Sequence, residues 1–219
     1  MTVHTCRLGP YARAVRFYDE QVLPRVIDVL CGSKMFGRIR ADACRDLHGD
    51  VVELGFGSGT NLPFLPEAVT GVWTVEPSQG AMKIARKRIA TSRVPVHVGD
   101  LDGARLGFPD DRFDAALSTM TLCTIPDVAG ALHEVRRVLK PGAFLHFAEH
   151  GLSPDPKVAR TQHRLNGLEQ RFAGGCNLDR DHEALVTEAG FEITELHRFA
   201  LKGPKAWSYM YLGRARNPG

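Results

Sequence analysis

Apolar residues recur every three to four positions through Val15, Tyr18, Val22, Val26, Ile27 and Leu30, which predicts helix from Tyr11 onward, interrupted at Pro24. Gly32 and Gly37 punctuate this stretch, and a second helical piece is expected to run to Leu47. The rhythm changes at Val51. Short runs with strand character now alternate with helical patterns. Val51–Leu54, Val72–Glu76, Val94–Val98, Phe113–Ser118 and Ala143–Glu149 read as strands, with amphipathic helices over Gln79–Ala90 and Val128–Leu139. Such alternation predicts an α/β fold, a parallel sheet covered by helices on both faces. Two later runs, Phe191–Phe199 and Trp207–Gly213, read as final strands. Only Ala200–Ala206 separates them, too short for a helical crossover, so they are expected to pair antiparallel. The expected division is a helical N-terminal cap over residues 1–49 and one compact ligand-binding domain over 50–219.

The chemistry gathers where strands end. The first strand runs straight into Glu53-Leu54-Gly55-Phe56-Gly57-Ser58-Gly59-Thr60, a G-x-G-x-G turn in which backbone can approach a ligand without interference from Cβ. A dinucleotide fingerprint requires G-x-G-x-x-G, and its third glycine would fall on Thr60. Glu76 closes the second strand, where a carboxylate accepts hydrogen bonds from the ribose hydroxyls of a nucleoside held at the glycine turn. Asp100 follows the third strand, placed to accept from an adenine amino group with Leu101 against the ring. Glu53, Glu76 and Asp100 thus stand at the carboxyl ends of three successive strands, where open α/β sheets bind ligands. There is no G-K-[ST] sequence, and acids here would repel a pyrophosphate. A cationic or zwitterionic nucleoside fits better, and S-adenosylmethionine (SAM) has that chemistry.

The runs VVELGFGSGTN, TVEPSQGAMKIARKR, VHVGDL, LGFPDDRFDAALSTMTLCTIPD and ALHEVRRVLKPGAFLHFAEHG, in that order, resemble a class I SAM-dependent methyltransferase. They are similar to the branch that includes quinone and phospholipid methyltransferases. The resemblance implies a Rossmann-like sheet of about seven strands, mostly parallel with an antiparallel last strand. It also implies that SAM is the cofactor and S-adenosylhomocysteine the product. Gly55, Gly57 and Gly59 would line the methionine part with Glu53 and Asn61 beside them; Glu76 would hold the ribose, and Asp100 with Leu101 the adenine. Pro77 and Met82 would pack nearby, and Thr119 and Met120 would close over the cofactor. A narrower resemblance, carried by LCTIPD, HFAEHG and RFAGGCNLDRDHEALVTEAGF, is to the alkyl-thiol methyltransferase-like family. It implies a small apolar acceptor, with a thiol or heteroaromatic compound favoured. A phospholipid amine or a quinone ring is the alternative, and a non-catalytic SAM-binding protein acting through a partner is a further one.

Methyl transfer from a sulfonium is an in-line displacement in which holding the nucleophile near the methyl group supplies most of the acceleration. The acceptor is expected beyond the fourth and fifth strands, near His150 and Glu149 as catalytic candidates and Cys123, Cys176 and Asn177 as pocket residues. Tyr11, Phe17 and Tyr18 offer an aromatic lid over the acceptor, with plain core packing of the first helix as the alternative. His146, on the same strand face as His150, reads as a packing residue.

Composition narrows the remaining classes. Hydrophobic residues are 43% and charged residues 24% of the 219, which excludes a largely disordered chain. A net charge of +3, with 28 basic residues interspersed among 25 acidic ones, gives no footprint for nucleic acid. Five dispersed cysteines lack metal-ligand spacing, so no metal is expected. No apolar run reaches the ~18 residues of a membrane span, and a cytoplasmic protein is expected. The basic run Lys83, Arg86, Lys87, Arg88 and Arg93 reads as a solvated helix face, with peripheral contact to an anionic membrane as the sharper alternative.

Overall fold

The computed structural model describes residues 18–99 and 106–219. Seven strands form one sheet in the order β3-β2-β1-β4-β5-β7-β6. They are β1 (Gly49–Leu54), β2 (Val69–Val75), β3 (Val96–Val98), β4 (Phe113–Thr119), β5 (Leu139–His150), β6 (Glu192–Ala200) and β7 (Tyr209–Arg216). The first five pair in parallel, and β7 runs antiparallel to both β5 and β6. The antiparallel relation expected of the last two strands is therefore present.

Residues alternate between two cores along each strand, as the period of two requires. Val52, Leu54, Ala116, Leu145 and Phe147 face a core completed by Leu132, Val135 and Val138 of α4 (Val128–Val138). On the opposite face Val51, Ala115, Leu117 and Ala148 pack with Ile39, Ala43 and Cys44 of α2 (Lys34–Cys44) and Ala85 of α3 (Gln79–Ala90). Covering both faces is what lets β1 and β4 read as nearly continuous apolar runs. Ser78 caps α3 by accepting from the Ala81 amide at 3.1 Å, and Asp127 caps α4 through the Gly130 amide at 2.9 Å.

Several expectations change. Pro24 does not interrupt a helix; it lies in the first turn of α1 (Leu23–Cys31), preceded by a wide π-helical turn over Tyr18–Val22. A first-turn proline lacks only an N–H that would be unpaired anyway. Trp207, expected to open the last strand, lies instead in a short 3₁₀ turn over Lys205–Trp207, and the strand starts at Tyr209. Two helices appear that the apolar pattern does not announce, α5 (Pro156–Phe172) and α6 (His182–Glu188). Helix α5 buries only Gln162, whose Oε1 accepts from Ser153 N at 2.9 Å while Nε2 donates to the carbonyls of Gly151 and Ala206.

Candidate active site

The turn after β1 is shaped by three glycines with positive φ: Gly55 (63°), Gly57 (57°) and Gly59 (76°). Gly55 admits nothing larger, since a Cβ there would lie 2.0 Å from Thr121 Oγ1. A Cβ on Gly57 would meet only the Gly55 carbonyl, at 3.8 Å, so its backbone borders open space. The Gly57 amide donates to Glu76 Oε2 at 2.7 Å, and the Ser78 amide donates to Oε1 at 2.7 Å. Two backbone donors thus aim the Glu76 carboxylate along the mouth of the turn. Burial pushes its pKa upward against the two amides that lower it.

Beneath the turn lies a polar cluster. Asn61 Nδ2 donates to Glu53 Oε1 at 2.7 Å and to Thr119 Oγ1 at 2.9 Å. Arg40, from α2, donates to Asn61 Oδ1 and to Thr119 Oγ1, both at 2.7 Å. Glu53 is sealed at 1% exposure, and its Oε2 is an orphaned acceptor. Burial pushes this carboxyl up to about 8, although the Asn61 amide and the Arg40 charge both pull it down. Sequence reasoning passes over Arg40. The available signal is its place at helical spacing with Phe36, Ala43, Cys44 and Leu47, a charge within an apolar stripe. Arg88 also departs from expectation. It turns away from the solvated face to bond Asp28 Oδ1 of α1 at 2.7 Å and the Ser58 carbonyl at 2.9 Å, while Lys83, Arg86, Lys87 and Arg93 are exposed.

The segment 119–123 connects this turn to the far end of β5. Met120 takes a positive φ of 56°. The Thr121 amide donates to Glu149 Oε2 at 2.9 Å, Ser118 Oγ donates to Oε1 at 2.7 Å, and the Cys123 amide donates to Oε2 at 3.4 Å. Glu149, 0% exposed, therefore anchors this segment from beneath. Its neighbour His150 brings Nδ1 to 3.9 Å from Cys176 Sγ, with Nε2 3.4 Å from the Ala206 carbonyl. The Asn177 amide and its Nδ2 donate to the Cys123 carbonyl at 2.8 and 2.9 Å. His150, Cys123, Cys176 and Asn177 thus come together on one side of the segment, and the glycine turn and Glu76 lie on the other. Tyr18 is 37% exposed and donates to the Phe172 carbonyl at 2.9 Å. Met82 is half-buried against the α2 core, and Pro77 is exposed. His146 is buried with Nδ1 2.9 Å from the Ala43 carbonyl, and burial lowers its pKa to about 4. Tyr11, Phe17, Asp100 and Leu101 lie outside the described residues.

The donor set discriminates among ligands. A carboxylate with no cation beside it among the described residues, an orphaned carboxylate oxygen and an open glycine backbone suit a ligand bearing hydroxyls and positive charge. They are poorly suited to a pyrophosphate, so SAM fits the residues present. Among the described residues, no group of three or more His, Cys, Asp or Glu is arranged to hold a metal. None of the described helices is long and apolar enough to cross a membrane.

Residues 52–147 match the family model described as a methyltransferase domain. The chain is 30% identical over 153 residues to the rat (Rattus norvegicus) thiol S-methyltransferase TMT1B, covering 67% of this chain and 61% of that protein. It is 33% identical over 112 residues to the demethylmenaquinone methyltransferase of Clavibacter sepedonicus, covering 50% of this chain and 44% of that one. The alignment thus spans less than two thirds of either relative. An S-adenosylmethionine-dependent methyltransferase from Mesorhizobium loti shares the fold with a TM-score of 0.61 at 20% identity, over 85% of this chain and 99% of that one.

Proposed function

The chain carries a class I SAM-dependent methyltransferase domain, and from that premise we propose that it methylates a small apolar thiol. The observation that carries the cofactor half is the Glu76 carboxylate aimed by the Gly57 and Ser78 amides. The thiol assignment draws on the similarity to TMT1B and on the side of the 119–123 segment where His150, Cys123 and Cys176 gather.

When bound, SAM supplies an electrophilic methyl group on a sulfonium. Glu76 accepts from the ribose hydroxyls, and the glycine backbone lies against the methionine part. Glu53 Oε2, which has no protein partner, would offer the α-amino group a hydrogen-bond acceptor, with Asn61 and Arg40 fixing the carboxyl from beneath. The acceptor is assigned to the side of the 119–123 segment where His150 and Cys176 come together. A thiol with pKa ~8.5 already presents a few per cent thiolate at neutral pH, so proton removal asks for little driving force. The His150 imidazole takes that proton. Its Nδ1 lies 3.9 Å from the Cys176 sulfur, on the side assigned to the acceptor. Most of the remaining acceleration comes from orientation and the exclusion of water.

Calorimetry with SAM and NAD, followed by mass analysis of a panel of thiols, phenols, heterocycles, quinols and lipid amines incubated with SAM, tests this reading. SAM binding without NAD binding, and S-methylated products, are expected. Turnover only on quinols would replace the thiol by the ring acceptor that the menaquinone-enzyme similarity favours. SAM binding with no product from any acceptor would overturn the catalytic reading.

A further inference from the structure

Cys123 and Cys176 belong to segments far apart in sequence, yet the fold brings them side by side. The backbone already holds these segments together, since the Asn177 amide and side chain both donate to the Cys123 carbonyl, at 2.8 and 2.9 Å. Cys123 is buried, whereas Cys176 is partly open to solvent and has the His150 ring at 3.9 Å on its other side. One accessible sulfur backed by a buried one is the arrangement of an attacking thiol and its resolving partner. From this geometry we propose that Cys123 and Cys176 form a reversible thiol–disulfide exchange site that reacts with low-molecular-weight disulfides.

The electrons balance without any further component. Cys176 gives up its proton and its thiolate sulfur attacks one sulfur of a disulfide RSSR, forming Cys176–S–S–R and releasing RS⁻, which takes up the proton. Cys123 then gives up its proton, its sulfur attacks that of Cys176, and the second RS⁻ leaves. The protein is oxidised to a Cys123–Cys176 disulfide, and RSSR is reduced to two thiols; a dithiol reductant reverses the sequence. The neighbouring Cys123 thiol holds the Cys176 thiol below its ordinary range, helped by His150 and opposed by burial. The Cys176 thiol and burial together hold Cys123 well above its ordinary range. That asymmetry assigns the first attack to Cys176. The Asn177 hydrogen bonds to the Cys123 carbonyl keep the two segments adjacent, as closure of the bond requires. The site stands independently of the acceptor assigned above.

The test uses the full chain with oxidised glutathione, followed by alkylation of free thiols and non-reducing peptide mapping. The parent protein is expected to lose both thiols to a peptide cross-linked through Cys123 and Cys176, and to regain them with dithiothreitol. Cys123→Ser is expected to stop at a glutathione adduct on Cys176, and Cys176→Ser to leave Cys123 open to alkylation after denaturation. The parent alone decides the matter if either variant fails to fold. Cross-links between other cysteines, adducts confined to other cysteines, or both thiols still free at the end would overturn the proposal.

Discussion

Replacing Glu76 with Ala gives the sharpest test of the cofactor half of the site. The parent carboxylate is held by two backbone donors at 2.7 Å each, which leaves its remaining lone pairs for the ligand. Hydrogen bonds to a charged acceptor are worth about 1.5–3 kcal/mol each, so losing the two made to the ribose hydroxyls removes roughly 3–6 kcal/mol of binding. At ~1.4 kcal/mol per tenfold, SAM affinity should fall by about two to four orders of magnitude. The substitution also leaves the Gly57 and Ser78 amides short of an acceptor, which loosens the turn by roughly 1–3 kcal/mol for each group that water fails to reach. Part of that loss is offset because burying the carboxylate is itself unfavourable, as its raised pKa indicates. Isothermal titration with SAM and S-adenosylhomocysteine measures the affinity, and a thermal melt of the same sample reports on folding. Glu76→Gln, which keeps one acceptor oxygen, should fall between the two. A folded Glu76→Ala protein binding SAM within about threefold of the parent would refute the reasoning, because no arrangement of two lost charged hydrogen bonds gives so small a change.

Glu53 predicts a dependence on pH. Its folded pKa of about 8 lies above the ordinary 4.5, so the folded protein keeps a proton that the unfolded chain releases. The stability this group contributes is complete below 4.5 and is lost as pH rises through 8, so Glu53→Gln should gain on the parent across that window in urea titrations. A gain independent of pH would contradict the assignment. Gly55→Ala should destabilise by more than the ~1–2 kcal/mol of a left-handed backbone, because its Cβ would meet Thr121 Oγ1. Gly142→Ala, with φ 81° and nothing within 4 Å, should show the conformational cost alone in the same denaturation experiment. Arg40→Met should lower stability by roughly 1–3 kcal/mol by leaving Asn61 Oδ1 without its donor, and should weaken SAM binding; a protein unchanged in both would remove Arg40 from the site.

The architecture is legible in the sequence because its strands obey a simple alternation. Val51 and Val52 go to opposite cores, and the helix expected over Gln79–Ala90 has those ends in the structure. The glycine turn and Glu76 are equally legible, since positive φ requires glycine and the carboxylate follows directly at a strand end. Long side chains are harder to read. Arg40 and Arg88 reach across from helices to meet Asn61 and Asp28, and nothing in local spacing says where a flexible four-bond arm ends. Helix α5 escapes for a related reason. Gln162 is its one buried residue while Leu168 and Phe172 stay exposed, so its place is set by hydrogen bonds to the carbonyls of Gly151 and Ala206 rather than by an apolar stripe on the core. Pro24 misleads because a proline that starts a helix and one that breaks it look alike until the preceding turn is known.

The sheet order carries a consequence for biosynthesis. Strand β6 leaves the ribosome before β7, yet β7 is the one neighbour it has in the sheet. For the interval between them β6 is a nascent strand with no mate, and β5 shows an open flank to anything that could pair there. Unpaired strands in that condition are templates for joining one chain to another. The composition of β6 guards against this: Glu192, Thr194, Glu195, His197 and Arg198 break its apolar character along nearly the whole length. Substituting apolar residues at these solvent-facing positions would leave the finished fold largely intact while making its manufacture prone to aggregation, a defect visible in yield rather than in melting temperature.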